Sequence, residues 1–289
     1  MSAFDRSVED LGNIVHLEHV NLFVPDQLRA TQFYVSAMGL TRDPYMVTGV
    51  ENMWINAGAT QFHLPRGAAQ HFRGTIGIVI PGRQALLSRL GDQSQALAST
   101  SFAFEEMADS VEVHCPWGNR LHCFEPDSDR FGAIMLGIVE LTFDVREGTT
   151  EGIARFYGDV FGAPASTVTG ADGARCARVR VGVGQTLVFR ESAAQPAHYD
   201  GHHIQIYVAD FSGPHRRLQE LGLVSEESNQ HQFRFVDITD PQTGAPCFRI
   251  EHEVRSVTHP MFRRPLVNRN PRQGPRNYRQ GCDAFVPPL

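Results

Sequence analysis

Apolar and polar residues alternate with the two-residue period of a strand in Leu17–Val24, and the following stretch, Pro25 to Gly39, carries the spacing of an amphipathic helix ending in glycine. The same order recurs at Val139–Val145 with EGTTEGIARFYGDVFG, so that Phe33-Tyr34 and Phe156-Tyr157 fall in matching places. Two plainer copies are Thr75–Ile80 with GRQALLSRLG and His203–Val208 with FSGPHRRLQELG. Shorter β-like runs separated by glycine turns follow each pair, among them NMWINAG, TQFHLP, ARVRVGVG and QTLVFRES. The pattern predicts strand, helix and three strands, four times over. That order predicts an α+β fold of four βαβββ modules in two domains, residues 1–131 and 132–255, joined at PDSDRF. Beyond Ser256 the periodicity stops, and an Arg/Pro/Asn-rich arm, 256–289, is expected to be ordered through Met261, Phe262, Leu266, Phe285 and Leu289.

Side chains alternate across a strand, so each first strand divides into two faces. Val20, Leu22 and Val24 oppose His19, Asn21 and Phe23; Val139, Leu141 and Phe143 oppose Glu140, Thr142 and Asp144; Ile204 and Ile206 oppose His203, Gln205 and Tyr207. The apolar face suits packing under helices. The polar face either meets solvent or lines a concave pocket, and ionisable groups at the same point of three modules favour the pocket. With His19, Thr75, Glu140 and His203 in register, the closing strands of the modules add His63 (TQFHLP), His122 (GNRLHCFEP) and Glu251 (CFRIEHEV). Two candidate ligand sets follow: Glu140, His203 and Glu251 in the second domain, and His19, His63 and His122 in the first. His231 and Tyr207 are candidates to move a proton, while His202 and His252 adjoin ligand positions but face the other way.

Four modules with ligands on first and last strands resemble the vicinal-oxygen-chelate superfamily, which holds glyoxalase I, epimerases, bleomycin-binding proteins and extradiol dioxygenases. The resemblance spans residues about 14 to 255 and implies half-barrel mixed sheets. The two-domain length is most similar to the extradiol dioxygenases, which implies a metal in the second domain, on Glu140, His203 and Glu251. Glutamate stands where that family has its first histidine, hardening the site toward Mn²⁺, Fe²⁺ or Mg²⁺, with Fe²⁺ or Mn²⁺ favoured, and weakening the oxygen-activating reading. The function expected is therefore a metal-dependent, dioxygenase-like enzyme acting on a catechol or hydroxy-carbonyl compound. Alternatives are an isomerase or lyase on the same ion, or a metal-free binder of small molecules.

Composition narrows the chemistry. All 26 basic residues among the 289 are arginine, which excludes Schiff-base, pyridoxal-phosphate, P-loop and kinase chemistry centred on a lysine. A net charge of −6 argues against a general nucleic-acid binder. No run approaches a membrane span and no secretory leader is evident, so a cytoplasmic location is expected. The five scattered cysteines, without a C-x-x-C pair, read as ordinary thiols. Arg263, Arg264, Arg269, Arg272, Arg276 and Arg279 suggest that the arm grips carboxylates or carbonyls of the body, or of a second subunit in a homo-oligomer.

Overall fold

The structure is a computed structural model that describes residues 4–46, 49–170, 172–194 and 196–287. Leu289, expected as an anchor of the arm, lies outside the described residues. The first module comprises β1 (Ile14–Asn21), α1 (Gln27–Ala30) continuing as a π-helix (Thr31–Ala37), β2 (Thr41–Arg42), β3 (Asn52–Ala57) and β4 (Thr60–Pro65). The second has β5 (Gly74–Val79), α2 (Arg83–Leu97), β6 (Ala103–Glu106), β7 (Ser110–His114) and β8 (Arg120–Phe124). After a short α3 (Ser128–Phe131), the third follows with β9 (Gly137–Arg146), α4 (Thr150–Phe161), β10 (Ala165–Thr169), β11 (Arg175–Gly182) and β12 (Gln185–Ser192). The fourth has β13 (His203–Val208), α5 (Ser212–Glu220), β14 (Val224–Asn229), β15 (Gln232–Thr239) and β16 (Pro246–Ser256).

The fold is α+β, with two mixed eight-stranded sheets that do not close into barrels. Their strand orders are β14-β15-β16-β13-β1-β4-β3-β2 and β10-β11-β12-β9-β5-β8-β7-β6. Two compact units divide the chain as 1–17, 142–199 and 204–262, and as 18–141, 200–203 and 263–289, so β1 and β9 each run through both. Among the described residues no helix is long and apolar enough to cross a membrane.

In the unit built on 18–141, each module's first and last strands pair in parallel: Asn21 stands opposite His63 on β1 and β4, and Gly77 opposite His122 on β5 and β8. The pattern predicts that the second helix ends at Gly91, yet α2 continues to Leu97. Leu86, Leu90 and Leu97 are buried at helical spacing, and this apolar stripe outweighs one interior glycine, which costs about 1 kcal/mol. The β3–β4 hairpin turns at Gly58, whose φ of 64° suits glycine; a Cβ there would lie 1.8 Å from the Leu136 carbonyl oxygen.

From Arg263 onward the arm belongs to the same unit. Asn268 donates to the Gly58 carbonyl at 2.8 Å and accepts from the Gly58 N–H, and Asn56 donates to the Val267 carbonyl. Arg264 bonds Asp43, a fully buried carboxylate, at 2.6 Å. Burial alone would raise the Asp43 pKa, but Arg264 and the N–H groups of Tyr45 and Met46 hold it below the ordinary value.

The other unit is built around aromatic packing under α4, where Phe156, Tyr157 and Phe161 meet Phe189 and Phe235. Within it the Tyr157 hydroxyl donates to His252 Nε2 at 2.6 Å, and His252 Nδ1 donates to the Ile250 carbonyl. Burial pushes the His252 pKa from 6.5 down to about 4, against the weaker pull of the Ile250 bond. An imidazole neutral in the fold and protonated in the unfolded chain stabilises above pH 6.5 and loses that contribution as pH falls toward 4. The full loss is about 3 kcal/mol. Urea melts at stepped pH between 7 and 4 should show the His252→Gln variant losing less stability than the parent over this window; parallel losses would contradict a neutral buried imidazole.

Candidate metal centre

The polar face of the first module is buried: His19 and Asn21 are 1% exposed, and Asn56 and Gln61 fully buried. It is therefore an interior surface and not a solvent-exposed one. Parallel register places His19 beside Gln61 and Asn21 beside His63, and antiparallel register sets Trp54 against His63. A group of three imidazoles forms where β13 begins: His19, His63 and His203 each offer one ring nitrogen, and these lie within 4.8 Å of one another. The ring centroids of His63 and His203 are 5.9 and 5.7 Å from that of His19.

Each ring is held by a neighbour. Glu18 Oε2 takes His19 Nδ1 at 2.7 Å, and both side chains are buried. His19 Nε2 is buried and has no hydrogen-bond partner among the described residues. A carboxylate on one nitrogen with the other presented inward is the arrangement that orients a metal-ligating imidazole. His63 Nε2 meets Asn52 Oδ1 at 2.6 Å, and its ring stacks on Trp54 with centroids 3.9 Å apart. His203 is placed by the loop before it. Asp200 accepts from the His71 N–H and from His202 Nδ1, and its carbonyl accepts from Gln70. Burial raises the Asp200 carboxyl, but these donors bring it down to about 2. The His202 pKa is lowered, chiefly by burial. The donor set fits a divalent cation: three imidazoles, one with an unpartnered buried nitrogen.

The residues expected as ligands are thus regrouped. His19 and His63 meet His203, whereas His122 stands on β8 in the other sheet and bonds Glu112, which also bonds His114. The two imidazoles hold the Glu112 carboxyl below its ordinary value. Glu140 lies on β9, and its Cβ packs so closely on β5 that a Cβ at Gly77 would stand 3.1 Å from it. Register between modules set Glu140 beside His203, but β9 and β13 belong to different sheets. Glu251 on β16 bonds Arg234, and its N–H donates to the Tyr199 hydroxyl. His231 occupies the turn before β15, with its ring beside Thr258 and His259. Tyr207 is fully buried against the rings of His16, His259 and Phe262.

Glu18, Asn52 and Trp54 escaped the sequence reading. Alternation assigns Glu18 to the face opposite His19, yet its carboxylate reaches round to the neighbouring ring. Asn52 and Trp54 sit in a run read simply as a strand. Asn21, on the ligand face of β1, has neither amide atom hydrogen-bonded among the described residues.

Titration with Co²⁺ should quench the fluorescence of Trp54 through the stacked His63. Glu18→Gln should weaken the apparent affinity about 10–100-fold, and His19→Ala should remove it; quenching unchanged in both would contradict the assignment of these ligands.

No family model matches the sequence, and no curated protein matches it. Solved structures do match. A glyoxalase I variant from Zea mays superposes with a TM-score of 0.60 at 12% identity, covering 84% of this chain and 92% of that one. The unsubstituted glyoxalase I from Zea mays gives 0.57 at 13% identity over the same shares. A putative dioxygenase from Bacillus subtilis gives 0.54 at 14% identity, covering 86% of this chain and 87% of that one. With its four βαβββ modules and two mixed sheets, the chain has the vicinal-oxygen-chelate fold.

Proposed function

We propose that the protein is a metal-dependent enzyme that takes a small substrate with two neighbouring oxygens, using His19, His63 and His203 to hold a divalent ion. The observation that carries this reading is the buried Nε2 of His19, unpartnered while Glu18 holds Nδ1. A buried polar atom without a partner costs about 1–3 kcal/mol, and ligation would offset that cost. When bound, such an ion supplies Lewis acidity, polarising a carbonyl or hydroxyl and stabilising charge that develops on oxygen.

The chain's own residues prepare the site. Glu18 keeps the proton of His19 on Nδ1 and fixes the ring. Asn52 and Trp54 restrain His63 by a hydrogen bond on one nitrogen and a stacked face. Asn21 offers both a donor and an acceptor beside the ligands, suited to a substrate hydroxyl or carbonyl. The buried surroundings exclude water and strengthen each of these interactions.

An all-imidazole group, with the likeness to glyoxalase I, favours redox-neutral chemistry beside a carbonyl, an isomerase or lyase reaction. The likeness to a putative dioxygenase supports the second reading, ring cleavage of a catechol. Protein loaded in turn with Zn²⁺, Mn²⁺ and Fe²⁺ and offered 2-hydroxy-carbonyl compounds and catechols separates them. The first reading predicts turnover without oxygen uptake, reduced at least 100-fold in His63→Ala. Oxygen consumption and a yellow ring-cleavage product with Fe²⁺ alone would establish the second. A metal content near zero after incubation with all three ions would overturn both and favour a metal-free binder.

A further inference from the structure

Apart from the imidazole group, the unit built on 18–141 contains a cavity of about 510 Å³ that no step above uses. Its volume falls in the range of small-molecule sites. Three arginines line it: Arg89 from α2, and Arg269 and Arg272 from the arm. Among the described residues none of the three pairs with a carboxylate. Glu125 also lines the cavity, but its carboxylate accepts the N–H groups of Gly82 and Arg83 at the start of α2 and is committed there.

Two of the arginines also serve structure. Arg89 donates to the Ala37 and Met38 carbonyls at 3.3 and 3.4 Å, and Arg269 to those of Leu40 and Val35, so both close the C-terminal end of the π-helix. Carbonyls orient a guanidinium without cancelling its charge. Among the described residues Arg272 has no such bond, and a Cβ at Gly82 would come within 3.8 Å of its Nη2. Burial lowers the pKa of Arg89, and the charges of Arg269 and Arg272 lower it further, the sign of uncompensated like charge. The remaining wall is apolar, with Leu40, Ile80, Met135, Leu136, Phe285 and Val286.

We propose that this cavity binds a small amphipathic anion, its carboxylate or phosphate on Arg89, Arg269 and Arg272 and its apolar body against Ile80, Met135 and Phe285. Guanidinium forks match both head groups, and two of the three are already fixed by carbonyls, so little ordering cost remains. Because the arm and α2 both line the cavity, the anion would also fasten the arm to the body.

The test uses the full chain, with benzoate, phenyl phosphate, inorganic phosphate and benzyl alcohol as calorimetric probes at low salt. The expected result is submillimolar binding of benzoate or phenyl phosphate, at least tenfold weaker binding of inorganic phosphate and benzyl alcohol, and unchanged binding in His63→Ala. Arg272→Ala, at an exposed side chain, should weaken the organic anion about tenfold without changing the thermal melt. Phe285→Ser should weaken the aromatic probes but not inorganic phosphate. Absence of binding by both organic anions, equal binding of inorganic phosphate, or affinity unmoved by Arg272→Ala would each overturn the proposal. Loss of binding in His63→Ala would instead transfer the anion to the imidazole group.

Discussion

Parallel pairing of β1 with β4 is the constraint from which the candidate site follows. The two strands are linked by a helix and a hairpin, and a one-residue slip would turn His63 to the opposite face. Two local features hold that register. Gly58 makes a turn that a side chain could not make against Leu136, and Asn268 clamps the same turn through both its amide atoms. With register fixed, His19, Asn21, Gln61 and His63 project from one surface, and His203 at the start of β13 completes the imidazole group.

Burying such a surface is costly, and the chain meets the cost with bonds between polar side chains. Gln61 donates to Asn56 and Asp43, Asn56 donates to the arm, and Arg264 closes the set on Asp43. The arm is thus part of the same hydrogen-bonded network as the sheet. Arginine suits this work better than lysine, because a rigid planar fork bonds a carboxylate and carbonyls with little loss of side-chain freedom. The second sheet treats its equivalent positions differently. His122 is taken by Glu112, and Gly77 lets β9 approach where β1 carries Asn21. One sheet keeps a polar cluster with an unpartnered nitrogen; in the other, the matching positions are filled by hydrogen bonds and close backbone packing.

Most of the elements were legible because alternation and helical spacing are local. His203–Val208 and Asn52–Ala57 form strands where the pattern puts them, and α4 lies where EGTTEGIARFYGDVFG predicts it. The site was legible one residue at a time. His19, His63 and His203 each stand out as polar residues on the inner face of a strand, but register within a module cannot say which modules share a sheet. That is why Glu140 and His203 looked adjacent, although β9 and β13 belong to different sheets. Glu18 illustrates the other limit: periodicity describes where a Cβ points, and a flexible carboxylate can still bend round to the next side chain.

The position of the ligands along the chain has a consequence for how the protein matures. His19 and His63 belong to the first of the four modules and His203 opens the fourth. A chain emerging from the ribosome carries two of the imidazoles for most of its synthesis, and two exposed histidines hold a divalent ion weakly. On the proposed assignment, firm coordination would await the fourth module, which makes cation acquisition a late event, set by contacts between distant parts of the sequence that form slowly. If the three imidazoles hold the ion, the order of synthesis would leave the nascent chain without the complete donor set until its last module folds.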